Sequence, residues 1–238
     1  MQLFYSPDLN PRTTEATFPK DESKHIVKVL RKKAGDRLDL TDGKGFYYKA
    51  EIISATSSKC TAKILSTEAA EPLPYQLHLA VAPTKTNDRF EFFLEKATEI
   101  GISTITPIIC DHSERKTIKP DRYARILQSA MKQSQKAFLP KLNAAISFEE
   151  FIDQKFKKFE QFFIAHCGED DKFSLKQRLQ PDKNTLILIG PEGDFSPSEI
   201  QLALNKRFVP VTLGKSRLRT ETAAIVAVHS MAFVNSEF

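Results

Sequence analysis

Two glycine-containing turns are the parts of this sequence best suited to hold a ligand. The segment "IGPEG" carries Gly190 and Gly193 around Pro191 and Glu192, and the segment "VPVTLG" ends at Gly214. Each turn follows an apolar run, and the 238 residues contain only 8 glycines. Glycine has no Cβ, so a ligand can approach its backbone closely. The turns therefore predict a binding site, although tight strand-to-helix turns would require the same residues.

The spacing of these glycines restricts the chemistry of the ligand. The sequence contains no G-x-x-x-x-G-K-[ST] motif, and no G-x-G-x-x-G motif is followed by an acidic residue about 20 positions later. These absences argue against a phosphate cradle and against a nucleotide-dependent oxidoreductase. S-adenosyl-methionine fits better, because it has no phosphate and its adenine can lie in an apolar slot and bond to backbone groups.

Basic residues are clustered in two segments of the chain, whose formal net charge is +5. Residues 24–33 contain five basic residues and no acidic one, and residues 111–142 contain eight basic residues against three acidic ones. Such clusters fit a polyanionic partner such as RNA. Each cluster alone could equally be a solvated helix face.

Other classes of protein and site receive no support from the sequence. The N-terminal segment has no basic and apolar leader pattern, and no apolar run approaches the roughly 20 residues that span a bilayer. We therefore expect a cytoplasmic protein without a membrane partner. Cys60, Cys110 and Cys167 form no C-x-x-C pair, and the five histidines form no metal-ligand spacing. We expect reduced, buried cysteines, no metal site and no catalytic histidine.

The elements that must position these residues fall into two zones. Residues 1–72 show alternating apolar and polar segments around the turn at 42–45, with one helix predicted over residues 22–33, which suggests a small β-barrel. Pro72 and Pro74 lie in a polar linker. Residues 73–238 alternate near-continuous apolar strands with helices, which predicts a parallel sheet covered on both faces.

Local signals set the ends of several predicted helices in the second zone. Asp88 is a candidate cap, Gly101 a stop, and Ser147 begins a capping box with Glu150. Further helices are predicted from 120 to 138, from Ser196, and from 220. Because ligands of parallel sheets bind outside the carboxyl ends of strands, we expect both glycine turns to lie at one binding edge.

Motifs along nearly the whole chain resemble those of the ribosomal RNA small-subunit methyltransferase E family. The segments "IGPEGDFSPSEI" and "TLGKSRLRTETAAI" are similar to its paired C-terminal motifs, "EKATEIGISTITPI" to its first motif and "MKQSQKAFLPKL" to its middle helix. The segment "HIVKVLRKKAGDRLDLTDGKG" resembles its N-terminal domain. Motif order and spacing agree throughout.

The resemblance implies more than periodicity shows. It implies an α/β fold in which a C-terminal SPOUT-type parallel sheet contains a trefoil knot, next to an N-terminal PUA-like RNA-binding β-barrel, and it implies a homodimer. The implied activity is the S-adenosyl-methionine-dependent methylation of uridine N3 in small-subunit (16S) ribosomal RNA, as free RNA or in the assembled subunit. A loop after His166 also belongs to the implied cofactor site, whose other residues are Leu188, Gly190, Pro191, Glu192, Gly193, Leu213, Gly214, Leu218 and Thr222.

The chemistry of that reaction suggests roles for charged residues. Arg219 is the candidate for stabilising a uridylate anion, because a guanidinium donates two hydrogen bonds to a planar anion. Glu192, Asp194 and Glu221 are the candidate bases. The candidate RNA-binding residues are Lys28, Arg31, Lys32, Arg115, Lys132, Lys136 and Arg217.

Three positions depart from the family pattern. Asp194 stands where the family usually has a second glycine, so this position need not be left-handed. Ser216 stands where an Arg is common, and Arg217 follows it. In the middle helix Lys132 precedes Gln133, and Lys136 replaces an Arg. The alternative interpretation is a non-catalytic RNA-binding or ribosome-assembly factor with the same fold.

Overall fold

The computed structural model describes residues 2–168 and 172–236. They form two compact units. The first unit contains the residues up to Pro72 together with Gln128–Leu139, and the second contains Leu73–Leu127 together with the residues from Pro140 onward. No helix among the described residues is long and apolar enough to cross a membrane.

The first unit is built on a five-stranded sheet. Its elements are β1 (Leu3–Tyr5), β2 (Glu15–Thr17), α1 (Lys20–Lys24), a π-helix (His25–Val29), β3 (Arg37–Thr41), β4 (Phe46–Ala55) and β5 (Cys60–Ala69). The strand order is β1-β3-β4-β5-β2, in which β1 pairs with β3 in parallel and the other pairs are antiparallel. The turn at residues 42–45 joins β3 to β4, as the alternation predicted.

The helix predicted over residues 22–33 is shorter and of mixed type. Leu30 N–H donates to His25 O, which is the i to i−5 bond of a π-helix, and Arg31 ends it in the left-handed conformation with φ 55°. This wider turn leaves Ile26 fully buried but Val29 68% exposed. A regular helix over residues 22–33, with its 3.6-residue period, would instead place Val29 on the buried face with Ile26.

The second unit is an α/β structure around a parallel sheet. Its elements are β6 (Leu77–Val81), α2 (Asn87–Ile100), β7 (Thr104–Ile109), α3 (Pro120–Gln133), β8 (Lys141–Leu142), β9 (Ile146–Ser147), α4 (Phe148–Ile152), β10 (Gln161–Ala165), β11 (Phe173–Ser174), α5 (Leu175–Arg178), β12 (Thr185–Ile189), α6 (Pro197–Asn205), β13 (Val209–Thr212) and α7 (Thr220–Val234). The described strand order is β11-β13-β10-β12-β6-β7-β8, with β9 paired to β7. Strands β6 and β12 are buried along their whole length.

The helix predicted from 120 to 138 ends five residues early, at Gln133. Gln135 has φ 55°, which breaks the helical hydrogen bonding. The following residues bond within the first unit, where Gly45 N–H donates to Ala137 O and Tyr47 Oη donates to Gln135 O. Residues 128–139 therefore belong to a different unit from the start of α3, which sequence periodicity did not indicate.

Most local helix signals were correct. Ser147 with Glu150 and Ser196 with Glu199 form reciprocal capping boxes, and Gly101 ends α2 with φ 131°. Asp88, by contrast, lies inside the first turn of α2, because the helix begins one residue earlier. Its carboxylate there still favours the helix dipole.

Candidate active site

A two-lobed cavity lies at the carboxyl ends of three adjacent strands, β13, β10 and β12. The first lobe has a volume of about 600 Å³ and the second about 440 Å³. Both volumes fall within the roughly 300–1,000 Å³ of small-molecule sites. The two lobes share walls formed by Ala165, Cys167, Asp194, Arg217, Leu218 and Ala223.

The first lobe is lined by the loop that leaves β13. Leu213, Gly214 and Leu218 lie on its wall, opposite His166 of the loop after β10. Gly214 has φ 137°, and a Cβ built on it would meet no atom within 4 Å. Its backbone therefore faces open space, as expected of a glycine that admits a ligand.

The second lobe is lined by the turn after β12 and by the start of α7. Gly190, Pro191 and Glu192 come from the turn, and Arg219 is the N-cap residue of α7. Thr220 Oγ1 donates to Gly190 O at 3.1 Å, which fixes the start of α7 against the turn. The first turn of this helix adds a partial positive charge next to the lobe.

The two glycines of the "IGPEG" turn are explained by contacts within the protein. A Cβ on Gly190 would come within 3.0 Å of the Phe195 ring, and one on Gly193 within 3.0 Å of His112 Cβ. His112 Nδ1 lies 3.0 Å from each of the carbonyl oxygens of Gly193 and Asp194, so it must donate to them. A Cβ at either position would therefore crowd a neighbouring side chain, although Gly190 also lines the second lobe, whereas Gly214 lines the first lobe with open space at its Cβ position.

Asp194 joins two loops of the cavity. It adopts φ 64°, a left-handed conformation that Asp tolerates better than most side chains. Its Oδ2 accepts from Cys167 N–H at 2.7 Å, and its Oδ1 accepts from Phe195 N–H at 2.9 Å. Both carboxylate oxygens are thereby engaged in holding the turn after β12 to the loop after β10.

Glu192 lines the second lobe and has a partly satisfied carboxylate. Its Oε1 accepts from Lys85 N–H at 2.9 Å. Its Oε2 is buried and has no hydrogen-bond partner among the described residues. A buried oxygen of this kind is costly unless a substrate or water binds it.

Glu221 is a second buried carboxylate, at the start of α7. The residue is 7% exposed, and its Oε1 lies 3.9 Å from Arg89 Nε on α2. Its Oε2 has no hydrogen-bond partner within the described part of the chain. Arg89 itself lies on the wall of the second lobe.

Comparison with known proteins connects this cavity to a reaction class. A model described as an RNA methyltransferase domain matches residues 71–232, and one described as an RNA methyltransferase PUA domain matches residues 18–65. A curated relative, the ribosomal RNA small subunit methyltransferase E of Buchnera aphidicola, is 29% identical over 234 residues, which cover 93% of this chain and 89% of that protein. The chain belongs to the ribosomal RNA small subunit methyltransferase E family.

Two solved structures of this class resemble the whole chain. A probable rRNA-methyltransferase from Porphyromonas gingivalis is 41% identical with a TM-score of 0.91, covering 99% of this chain and 98% of that one. A ribosomal RNA small subunit methyltransferase E from Neisseria gonorrhoeae, bound to S-adenosyl methionine, is 27% identical with a TM-score of 0.87 and the same two coverages. The α/β parallel sheet and the N-terminal PUA-type domain predicted from the sequence are thus confirmed.

The cavity brings together most of the predicted cofactor residues, but not all. Among the described residues, its walls do not include the predicted cofactor residues Leu188, Gly193 and Thr222, nor the candidate base Glu221. Leu188 belongs to the hydrophobic core of the sheet, and Thr222 is exposed on α7. Gly193 packs against His112, and Glu221 forms an ion pair with Arg89.

At three points around the cavity, the structure adds to or corrects what the sequence indicated. Asp194 is left-handed, although the absence of glycine had left that conformation open. Cys167 is exposed, whereas all three cysteines were predicted to be buried. Strand β10 lies between β12 and β13, so its loop with His166 and Cys167 enters the cavity.

Arg89 is the functional candidate that sequence reasoning missed. It follows β6, whose carboxyl end lies next to that of β12. Its position after a predicted strand is the signal that could have indicated it, because ligands of parallel sheets bind at the carboxyl ends of strands.

The candidate RNA-binding residues of the first unit differ in how free their charges are. Lys28 and Arg31 are exposed. Lys32 Nζ donates to Arg37 O at 2.9 Å, and Lys132 Nζ lies 3.8 Å from Glu22 Oε1. Burial lowers the pKa of Lys136. Lys28 and Arg31 are therefore the more available of these cations.

The two candidate RNA-binding arginines of the second unit, Arg115 and Arg217, also differ in how available their charges are. Arg115 is half-buried and donates to the backbone carbonyls of Thr84 and Lys85, at distances between 2.7 and 3.2 Å. It stabilises the loop after β6. Arg217 is exposed and lies on the wall of both lobes.

Proposed function

We propose that this protein transfers a methyl group from S-adenosyl-methionine to N3 of a uridine in small-subunit (16S) ribosomal RNA. The observation that carries the proposal is the two-lobed cavity, in which an open glycine backbone lines one lobe and arginines line the other. Membership of an rRNA methyltransferase family supports the reaction class.

The first lobe is the proposed site of the cofactor. Gly214 provides a backbone surface that any larger residue would cover, and Leu213 and Leu218 provide apolar walls for an adenine. The Neisseria gonorrhoeae relative, which was solved with S-adenosyl methionine, has the same fold over nearly its whole length.

The second lobe is the proposed site of the uracil. When bound, S-adenosyl-methionine supplies a methyl group on a positively charged sulfur, and its transfer to N3 forms an N–C bond, breaks the C–S bond with the electron pair passing to sulfur, and releases the N3 proton. Arg219 would donate to a uracil oxygen that carries part of the negative charge. Such preorganised donors contribute most where charge develops.

Glu192 is the proposed acceptor of the N3 proton among the three candidate bases. Its Oε2 is without a hydrogen-bond partner in the described residues, and Glu192 lines the second lobe. Asp194 is less suitable because both of its carboxylate oxygens already accept backbone N–H groups. Glu221 is not on the wall and faces Arg89 instead.

We also propose that the PUA-type unit binds RNA through Lys28 and Arg31 and that the protein acts in the cytoplasm, where ribosomal subunits assemble. The trefoil knot and the homodimer that the resemblance implies are further parts of the proposal. A partly exposed apolar surface on α7 supports the dimer: Ile225 and Val226 are only half-buried, and Phe233 is 51% exposed.

The proposal is tested by methylating defined substrates. Purified protein and S-adenosyl-methionine are incubated with unmodified small-subunit rRNA, either free or in reconstituted subunits, and the nucleosides are analysed by mass spectrometry. We expect 3-methyluridine with one of the substrates, and none with the Glu192→Ala and Arg219→Ala variants. Calorimetry with S-adenosyl-methionine alone measures cofactor binding independently.

The outcomes separate the two interpretations. A methylated nucleoside other than 3-methyluridine would overturn the uridine N3 assignment while keeping the enzyme class. RNA binding without cofactor binding or methyl transfer to either substrate would favour the non-catalytic assembly factor.

A further inference from the structure

The second lobe contains an arginine, Arg89, that has no role in the proposed reaction. Arg89, in the first turn of α2, lies on the same wall as Arg217 and Arg219. Its side chain is 38% exposed, and its guanidinium makes no hydrogen bond among the described residues. It therefore has donors available for a ligand in the lobe.

Glu221 explains why Arg89 is held at this wall. Its carboxylate is buried at the start of α7, and Arg89 is its ion-pair partner in the described structure, at 3.9 Å. A buried carboxylate without a cation is strongly unfavourable. The packing of α2 against α7 therefore fixes Arg89 by charge as well as by shape.

The geometry of uracil creates a need for two separate cations. In the N3 anion the negative charge spreads to O2 and O4, which flank N3 on opposite sides. The N3 lone pair lies in the plane of the ring, so the methyl group must approach in that plane, between the two oxygens. One guanidinium that bridged O2 and O4 would occupy this approach, whereas two guanidiniums can each bond one oxygen and leave it open.

We propose that Arg89 is a catalytic residue that stabilises one carbonyl oxygen of the uracil anion while Arg219 stabilises the other, and that Glu221 is a positioning residue that holds Arg89. This inference rests on the proposed function. It assigns Glu221 to the orientation of a cation, in place of the role of a base.

The competing explanation is that Arg89 only neutralises Glu221. A double-substitution cycle distinguishes the two. In Arg89→Ala with Glu221→Gln, the buried charge is removed together with its partner, so the pair is no longer needed for folding. If neutralisation is the whole role of Arg89, this double variant regains the wild-type rate. If Arg89 contacts the uracil, the double variant remains slow.

The first measurement is the single-turnover methylation rate at saturating RNA and cofactor. We expect about a hundredfold loss in Arg89→Ala and in the double variant, as for the removal of one preorganised donor, and a smaller loss in Glu221→Gln. The matched control is Lys96→Ala, which removes another ion-paired cation of α2, bonded to Glu95 and Glu99. A wild-type rate in the double variant would overturn the proposal.

The second measurement does not depend on turnover. The RNA is transcribed with 5-fluorouridine, whose N3–H is more acidic than that of uridine, and its binding is measured with S-adenosyl-homocysteine present. Affinity for this RNA, relative to uridine RNA, should rise with pH in the wild-type protein and in Lys96→Ala, but not in Arg89→Ala or in the double variant. A rise of the same size in the double variant would contradict the contact.

The two measurements also separate this inference from the proposed function. If the wild-type protein makes no 3-methyluridine, the proposed function fails whatever Arg89 does. If it makes 3-methyluridine and the double variant does so equally fast, only the role of Arg89 fails.

Discussion

At the scale of single residues, the glycines around the cavity have different surroundings: two are close to neighbouring side chains, and one faces open space. Gly190 and Gly193 pack against Phe195 and His112, whereas Gly214 lines the first lobe and a Cβ on it would meet no atom within 4 Å. A similar distinction applies to the acids. Both oxygens of Asp194 accept backbone N–H groups, whereas Glu192 and Glu221 each have one buried oxygen without a hydrogen-bond partner in the described residues, and of these two it is Glu192 that lines the cavity. The contacts of each residue, and not its type, indicate its role.

Gly214→Val should weaken S-adenosyl-methionine binding at least tenfold, about 1.4 kcal/mol, because the side chain would occupy the first lobe. Gly35→Val is the matched control. Gly35 also has a positive φ, 91°, and open space at its Cβ, but it lies in the first unit. Both variants should lose stability from backbone strain. Calorimetry on folded Gly214→Val that showed wild-type affinity would remove the cofactor from this lobe.

Arg219→Lys should reduce turnover about a hundredfold, because Lys keeps the charge but loses the planar pair of donors. Its affinity for S-adenosyl-methionine should change little, since Arg219 lies on the wall of the second lobe. If Arg219 only binds an RNA phosphate, Lys would be a fair substitute. The single-turnover rate at saturating RNA would then be near normal while RNA affinity fell, so measuring both constants decides the role.

At the scale of elements, β6 contains a buried titratable group. His78 is 5% exposed, its Nε2 lies 2.7 Å from Thr106 Oγ1, and its ring packs against Phe151, Phe156 and Phe159. Burial, with a smaller effect from the charge of Lys141, lowers the pKa of His78 to about 4. The imidazole of His78 is therefore neutral in the folded protein at neutral pH.

This pKa predicts a loss of stability in acid. The unfolded chain binds a proton to His78 below about pH 6.5, whereas the folded chain does so only near pH 4. Stability from this group is therefore complete above pH 6.5 and falls by up to about 3 kcal/mol as the pH drops towards 4. Urea unfolding of His78→Gln across this range should show a shallower decline. Parallel declines in the two proteins would contradict the prediction.

We expect Lys28, which is exposed on the π-helix, and Arg31, which follows the helix, to bind RNA phosphates. Replacing Lys28 and Arg31 by Ala should lower the log-log slope of RNA binding against salt by about two, since each phosphate contact releases about one counterion. Adding Lys32→Ala should change the slope less, because Lys32 already bonds Arg37 O.

The control for this prediction is the pair Lys59→Ala and Lys63→Ala, which removes two exposed charges elsewhere on the first unit. Its slope should match that of the wild-type protein. Equal slopes for all of the variants would assign Lys28 and Arg31 to solvation only.

At the scale of the whole molecule, α7 is apolar on nearly all sides, with Ala224, Ala227 and Met231 buried in its own unit. Val228 is buried as well, whereas Ile225 and Val226 are half-buried and Phe233 is 51% exposed. An apolar surface left over on a central helix favours a second copy of the chain as a cover.

We therefore predict that the protein is a dimer at micromolar concentration, with twice the mass of one chain by light scattering. Phe233→Glu should shift it towards the monomer without unfolding it, because this side chain is half exposed. Glu149→Gln changes a charge on an exposed residue of α4 and should remain dimeric. A wild-type protein that scatters as a monomer would contradict the prediction.

The sequence alone determined the features that depend on neighbouring residues. Periodicity identified the strands of the parallel sheet, and the capping boxes at Ser147 and Ser196 located two helix starts, because these signals act within one or two turns of chain. The motifs that resembled the rRNA methyltransferase family were local as well. They gave the fold class and the general position of the site.

Which distant segments meet is visible only in the folded chain. Strand β10 lies between β12 and β13 and brings Cys167 to Asp194, and the packing of α2 against α7 brings Arg89 to Glu221. These pairs are separated by 27 and more than 100 positions, so no local pattern records them. Strand order and helix packing follow from burying the whole apolar surface at once, which is a property of the complete chain and not of any one segment.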